Sequence, residues 1–383
     1  MPDPATRVRR DRRDAQWPAR PERRYETALQ GLARRPDVPL ALALNLPFCV
    51  TRCLCCDRDV RAGASGDTID DYVSGLLDEM QALRRHLGYR HDVAHLHLGG
   101  GSASEVAGPQ LTRLFDALRL HWRLPPDAEV SAHCDARRVD GHRLRLLRSL
   151  GVTHLVLGVM DLDADVQRAA GRSQSPELLD DVCTLARSCG LDCVQFDLMV
   201  GLPLQTPERW QRTLERLVQL GPDRVRLRHY RHRPRLMAGQ ATIDASTLPD
   251  RNACQALERQ AARVLQDAGY GPLASDLFVL DDDSGWMAFE QGPARHAVRH
   301  GGQWPQLGLG VGAASRIDGR VFFSDARWDA WRDAVADGRL PVTHTRRLAW
   351  YTPGEARRDS SCPCDDHEDA ARPRAAGVSG PMS

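Results

Sequence analysis

The stretch Leu40-Ala41-Leu42-Ala43-Leu44-Asn45-Leu46-Pro47-Phe48-Cys49-Val50-Thr51-Arg52-Cys53-Leu54-Cys55-Cys56 runs from an apolar segment straight into four closely spaced cysteines. Leu40–Phe48 reads as a short buried strand, bounded at its end by Pro47. Similar runs recur at Val93–Leu98, Ala128–Cys134, His154–Val159, Cys193–Val200 and Arg224–Tyr230. Between them lie amphipathic helical patterns at Ile69–Leu87, Gln110–Trp122, Arg143–Leu150, Pro176–Ser188 and Pro207–Leu220. Tyr72, Leu76, Leu77, Met80 and Leu83 recur at three- and four-residue spacing, one face of a helix. Gly88, Gly151, Gly190 and Gly221 stand where such helices should stop. Strands alternating with helices predict βαβ units around a parallel sheet, an α/β fold. Six units in about 190 residues suit an open, partial (β/α)6 barrel rather than a closed eight-stranded one.

Outside this core the patterning changes. Residues 1–38 are rich in Arg, Pro and Asp and are expected to form a flexible arm. The barrel is expected over 39–235. Residues 236–350 form a C-terminal extension: a loop to 247, a helix at Leu248–Ala268 and a turn at Asp281, Asp282 and Asp283. A Gly-rich run, Leu307–Gly312, and a helix at Trp328–Ala336 follow. Residues 351–383 read as a disordered tail, with Cys362, Cys364 and His367 as a weaker candidate ligand set.

The chain has 383 residues, 42% apolar and 27% charged, with a formal net charge of +1. Near-neutral charge and 5% aromatics argue against a nucleic-acid partner. All 52 cationic Lys+Arg positions are arginine. Schiff-base lysine chemistry and a Walker-type phosphate lysine are therefore excluded. No apolar run is long enough for a membrane span, and the N-terminus lacks the apolar region of a secretory signal. A cytoplasmic monomer is the expectation.

Eleven cysteines in a reducing compartment do not suggest a disulfide framework. Cys49, Cys53 and Cys56 have the spacing C-x3-C-x2-C at the end of the first predicted strand. Three thiolates on one loop can hold three irons of a cubane cluster and leave the fourth open. The carboxyl end of a strand is where α/β sheets build their sites. A three-cysteine zinc site completed by a distant histidine, or a set of merely buried thiols, is the alternative. Cys55, adjacent to Cys56, is read as non-ligating.

Further motifs follow in order: Leu96-His97-Leu98-Gly99-Gly100-Gly101, Gly158-Val159, Val166-Gln167-Arg168, Gly171-Arg172, and Asp197 to Pro203. Gln205-Thr206-Pro207, Pro222-Asp223-Arg224, Tyr230 and Leu309-Gly310-Val311 complete the set. With Leu46-Pro47-Phe48-Cys49 and the three cysteines, the chain resembles the radical S-adenosylmethionine (SAM) superfamily. Within it, the resemblance is to the oxygen-independent coproporphyrinogen III oxidases of the HemN type. It implies a [4Fe-4S] cluster on Cys49, Cys53 and Cys56, with S-adenosyl-L-methionine at its open iron. It further implies cofactor contacts from Cys55, Gly100, Gly101, Ser102, His133, Met160, Arg172 and Asp197. Glycine lets backbone approach a ligand closely and expose its N–H groups. Asp197 sits in an apolar strand and must be paired, and Arg172 can grip a carboxylate bidentately.

The resemblance implies oxidative decarboxylation of propionates to vinyls on a tetrapyrrole, coproporphyrinogen III, in haem biosynthesis. An electron donor such as flavodoxin would feed it. Arg226, Arg228, Arg231, Arg233 and Arg235 are candidate partners for the substrate's carboxylates, or ordinary surface arginines. Several family positions differ. Ala43 and Asn45 replace Tyr and His, and Cys55 replaces an aromatic. Arg58 replaces a Cys, His133 a Glu, and Met160 a Gln. The family's C-terminal helical domain is largely missing. A paralogue that lost this chemistry, such as a haem-trafficking protein, therefore stays open, as does a zinc-stabilised binding module.

Overall fold

The computed structural model describes residues 20–274, 276–280 and 304–348. The predicted turn at Asp281–Asp283 and the tail cysteines lie outside the described residues, as does the first half of the arm.

The first helix, α1 (Pro21–Ala33), precedes β1 (Leu40–Leu46), the short β2 (Phe48–Cys49) and β3 (Arg61–Ala62), and α2 (Gly66–Leu87). The alternation then runs β4 (Val93–Gly100), α3 (Gly108–His121), β5 (Glu129–Cys134), α4 (Gly141–Leu150) and β6 (His154–Met160). It continues with α5 (Ala164–Ala169), α6 (Pro176–Ser188), β7 (Cys193–Val200), α7 (Pro207–Leu220) and β8 (Arg224–His229). The remainder is α8 (Arg251–Asp267), β9 (Tyr270–Ala274), β10 (Leu277–Leu280), β11 (Gln306–Leu309), β12 (Ala314–Ile317), β13 (Arg320–Ser324), α9 (Trp328–Ala336) and β14 (Val342–Arg347).

Strands β1, β4, β5, β6, β7 and β8 lie side by side and all parallel, the six predicted β/α units in sequence order. Among the described residues they form the middle of one open sheet of 12 strands. The sheet is extended at both edges by the segment after β8. β10 and β9 add antiparallel beyond β8. β11 adds parallel beside β1, and β12 to β14 continue antiparallel. The described strands between residues 270 and 347 are thus woven into the sheet of the barrel.

The apolar faces explain the register. In β1, Leu40, Leu42, Leu44 and Leu46 are buried, while Ala41, Ala43 and Asn45 face the barrel interior and are only partly covered. Each fully buried leucine contributes about 1.5–3 kcal/mol relative to exposure. The stop signals also hold: Gly88, Gly151 and Gly221 cap α2, α4 and α7 at positive φ, and Gly190 lies one residue past the cap of α6. Pro47 interrupts the predicted Leu40–Phe48 strand, because it lacks the N–H a ladder needs.

One expectation is corrected. The arm drawn over 1–38 contains a docked helix. Tyr25, Leu29 and Leu32 of α1 share one face and are buried. Tyr25 bonds Ser315 Oγ at 2.9 Å and stacks at 4.9 Å on Phe322 of β13. The arginines of α1 hid this stripe in the composition. No helix among the described residues is long and apolar enough to cross a membrane.

Candidate active site

The site lies at the carboxyl ends of the parallel strands. Its first wall is the cysteine loop between β2 and α2. Gly63 N donates to Cys49 O at 2.9 Å and Arg61 N to Pro47 O, so the loop closes on itself. Cys55 N donates to Ala170 O at 3.2 Å, which ties the loop to the end of α5. Gly171 permits that contact: a Cβ there would meet Leu54 Cγ at 2.6 Å and Leu54 N at 2.8 Å, and its φ is 68°. The glycine thus brings Arg172 beside the thiols.

The glycine segment ending β4 packs on the same loop. Gly101 N donates to Leu46 O at 2.8 Å and Ser102 N to Phe48 O at 2.7 Å. A Cβ on Gly101 would overlap the backbone of Phe48, and one on Gly100 would overlap Asn45 Oδ1. The expectation that this segment offers its N–H groups to a ligand is therefore corrected at Gly101 and Ser102, whose N–H groups hold the cysteine loop. The carbonyls point the other way. Gly100 O accepts from Arg58 Nη1 at 3.0 Å, and Gly101 O bonds His133 Nδ1 at 2.8 Å.

Cys49, Cys53, Cys55, Cys56, Gly100, Gly101, His133, Met160, Arg172 and Asp197 line one cavity. Ser102 does not join them. It is buried, with its Oγ 2.6 Å from Ser104 Oγ and accepting from Asp135 N at 2.9 Å. Its side chain positions β5 rather than a ligand. Arg58, Met199 and Arg228 also line the cavity, though only Arg228 had been picked out as a ligand-binding candidate.

The charges are arranged around this space. Arg172, 8% exposed, reaches Cys53 Sγ at 3.6 Å through Nη1 and faces Asp135 at 3.4 Å. Its Nε and Nη2 nonetheless have no hydrogen-bond partner. Asp197, 3% exposed, accepts from Gln195 Nε2 at 2.7 Å and Arg228 Nη1 at 3.4 Å. Burial pushes its carboxyl up, but Arg228 and Arg226 outweigh that and hold it below the usual range. Burial also raises the thiols of Cys49, to about 11, and of Cys56, and raises Cys55 to about 12. Burial and the nearby Arg58 push His133 down to about 4. A carbonyl can only accept, so His133 Nδ1 carries the proton. The neutral ring then presents Nε2 as an acceptor.

Met160 ends β6 at a register shift and at φ 68°, a left-handed conformation rare outside glycine and asparagine. The irregularity aims its side chain into the cavity, as bulges beside active sites do.

Of the arginines proposed for substrate, Arg226 and Arg228 alternate with buried Val225 and Leu227 along β8. They share the interior face with Arg224, which pairs with Glu129 at 3.0 Å. Arg231, Arg233 and Arg235 belong to the following loop. That period of two was readable in the sequence. The place of Arg58 in the cavity was not, because it depends on how the loop returns beneath Gly100.

Among the described residues no three His, Cys, Asp or Glu side chains gather as a site for a single metal ion. Cys49, Cys53 and Cys56 instead border one wall, beside a guanidinium with unused donors. Thiols become ligands by giving up their protons to a metal. This donor set fits an iron–sulfur cluster with a carboxylate-bearing ligand next to it.

A model of the radical SAM superfamily matches residues 46–217. The chain is 30% identical over 316 residues to the oxygen-independent coproporphyrinogen III oxidase of Pseudomonas aeruginosa, covering 81% of this chain and 68% of that protein. The chain belongs to this radical SAM family. The Escherichia coli oxygen-independent coproporphyrinogen III oxidase is 33% identical over 293 residues, covering 76% of this chain and 64% of its own length. The solved coproporphyrinogen III oxidase (HemN) from Escherichia coli, described as a radical SAM enzyme, superposes with a TM-score of 0.75 at 29% identity. That match covers 84% of this chain and 74% of the other. The chain thus spans about two thirds of the length of the curated relatives it matches. Radical SAM proteins of this family use a [4Fe-4S] cluster and S-adenosylmethionine.

Proposed function

We propose that the chain is an oxygen-independent coproporphyrinogen III oxidase, converting propionate side chains of a tetrapyrrole to vinyls in haem biosynthesis. The observation that carries this reading is the cavity where three loop thiols, the half-unpartnered Arg172 guanidinium and the buried Asp197 meet. It lies within a chain related over most of its length to these oxidases. Cys49, Cys53 and Cys56 would hold the cluster. When bound, cluster and adenosylmethionine together supply hydrogen-abstraction chemistry.

The chain's own residues bind and orient. Arg172 Nε has no hydrogen-bond partner and Nη2 faces Asp135 at 3.4 Å without a hydrogen bond, so this guanidinium retains donor capacity for the carboxylate of the methionine moiety. Asp197, held ionised, accepts from ligand hydroxyl or ammonium groups. His133 Nε2 accepts where the family has a carboxylate. An electron donor such as flavodoxin would supply reducing equivalents, and a soluble cytoplasmic monomer without nucleic-acid partner is the setting we infer.

The test is anaerobic reconstitution followed by assay for 5′-deoxyadenosine, with and without coproporphyrinogen III. Substrate-dependent 5′-deoxyadenosine and a vinyl product support the reading. A second reading rests on His133 and Met160, which offer neither carboxylate nor amide to the cavity. It is a paralogue that binds adenosylmethionine without cleaving it and binds haem, as a haem-trafficking protein would. Haem binding with no 5′-deoxyadenosine would decide for it.

A further inference from the structure

Arg58 is two residues past the last cluster cysteine and lines the ligand cavity. Its Nη1 donates to Gly100 O at 3.0 Å. That contact uses one of the five N–H donors of a guanidinium. Neither Asp57, which precedes it and lines the same cavity, nor Asp197 is within ion-pair distance of it. The other three guanidiniums lining the cavity each have an acid: Arg52 faces Asp59 at 3.5 Å, Arg172 faces Asp135 at 3.4 Å and Arg228 faces Asp197 at 3.4 Å. Arg58 is therefore a half-buried cation with spare, forked donors and no carboxylate in contact. Burying a charge without a partner is costly, and removing that cost favours binding an anion there. The fork matches a carboxylate bidentately.

We propose that Arg58 anchors an alkyl carboxylate in this cavity, with Gly100 O fixing the orientation of its guanidinium. This rests on the reading above in taking the ligands to be adenosylmethionine and a tetrapyrrole. Either can supply the group: the methionine carboxylate of the one or a propionate of the other. Arg58 is thus a specificity-determining residue that Cys49, Cys53 and Cys56 do not duplicate.

The experiment measures equilibrium binding to the anaerobically reconstituted full chain, as wild type, Arg58→Gln and Arg58→Lys. Iron content and circular dichroism are followed as checks on cluster and fold. Four probes are used: adenosylmethionine, decarboxylated adenosylmethionine, coproporphyrin III and its tetramethyl ester. Arg58→Gln removes the charge and is too short to reach Gly100 O from the same position, so the carboxylate-free probes control for loss of that backbone contact. We expect at least about a tenfold loss of affinity for one carboxylate-bearing probe and little change for its carboxylate-free counterpart, equivalent to about 1.4 kcal/mol. Arg58→Lys should recover part of that loss, because it keeps the charge without the fork. Loss confined to adenosylmethionine assigns the methionine carboxylate, and loss confined to coproporphyrin assigns a propionate. Equal loss for probes with and without the carboxylate, or no loss at all, overturns the proposal. So does a wild type that binds neither carboxylate probe. If the wild type binds adenosylmethionine but no coproporphyrin, the substrate reading fails while the adenosylmethionine arm still decides the anchor.

Discussion

Two walls of the cavity are built by different means. The cysteine wall is held by backbone against backbone: Gly101 on Phe48, Gly171 on Leu54, Cys55 N on Ala170 O. The opposite wall, made of His133, Met160, Asp197 and Arg228 and met by Arg58 from the end of the cysteine loop, is held by side chains. Gly101 and Gly171 stand where the backbone leaves no room for a Cβ, whereas His133 and Met160 stand where a side chain extends into the cavity. A side-chain wall can be rewritten while the fold stays, so altered residues there do not by themselves signal a lost cluster.

The largest effect should come from breaking the cysteine wall. Cys49→Ala, Cys53→Ala or Cys56→Ala should abolish a reconstituted cluster of about four irons, whereas Cys55→Ala should retain it. Iron and sulfide analysis reads this directly, and a Cys56→Ala protein that keeps its cluster would refute the ligand assignment. Gly171→Ala should behave like a ligand change although it removes no ligand, because the added methyl meets Leu54 N, which cannot move away without the loop.

On the side-chain wall the effects should be graded. Asp197→Asn keeps the shape but removes the charge facing Arg228. Adenosylmethionine affinity should fall about 10- to 100-fold, the worth of a charge-assisted hydrogen bond of roughly 1.5–3 kcal/mol, with iron content unchanged. Calorimetric titration of the reconstituted protein checks the affinity, and iron analysis of the same sample checks the cluster.

The contrast between walls also explains what was legible in the sequence. The six β/α units stood out because buried strands and amphipathic helices are local patterns, and the cysteine loop because its spacing is local too. α1 was missed because Tyr25, Leu29 and Leu32 are three apolar residues among arginines. The edge strands were missed because β11 is only four residues long and pairs with β1, Ala41 opposite Gln306 to Leu44 opposite Leu309, across a long separation in sequence. The direction of the glycine segment was misread for a related reason. Gly100 and Gly101 announce close approach, but not whether N–H or carbonyl faces the ligand. His133 and Arg58 supply the answer, and they come from two other elements.

A pH measurement sharpens the comparison further, because His97 and His133 are held neutral inside the barrel. Burial pushes His97 down to about 3, with His95 and His133 adding to it, and its Nδ1 lies 2.8 Å from Ser131 Oγ. The unfolded chain protonates a histidine near 6.5 or about that value. Below it the unfolded state therefore binds a proton the folded state refuses, and stability falls as pH drops from about 6.5. For His97 the fall continues to about 3, and for His133 to about 4. Glu79, pushed up to about 7 by burial, acts oppositely over part of this window, since its proton is held by the folded state. The diagnostic quantity is thus the difference between wild type and His97→Gln. The variant should lose less stability between about pH 7 and about pH 5, by on the order of 1–2 kcal/mol, in urea titrations. Identical slopes would mean that His97 is as readily protonated as in the unfolded chain.

The smallest expected effect concerns Met160, where a backbone constraint sits inside the side-chain wall. Its φ of 68° costs about 1–3 kcal/mol for a non-glycine residue. Its side chain packs against the buried group formed by Cys53, Cys55, Val166, Ala170, Met199 and Leu202. Asparagine tolerates this backbone and carries an amide, but gives up some of that packing. Valine keeps apolar contact but branches at Cβ, which the left-handed region does not accommodate. If the backbone dominates, Met160→Asn should stay within about 1 kcal/mol of wild type and Met160→Val should lose about 1–2 kcal/mol more. If packing dominates, the order reverses, and the position belongs with the core rather than with the cavity. Urea midpoints of the two variants decide between these outcomes, because both substitutions shorten the side chain and only their backbone preferences are opposed.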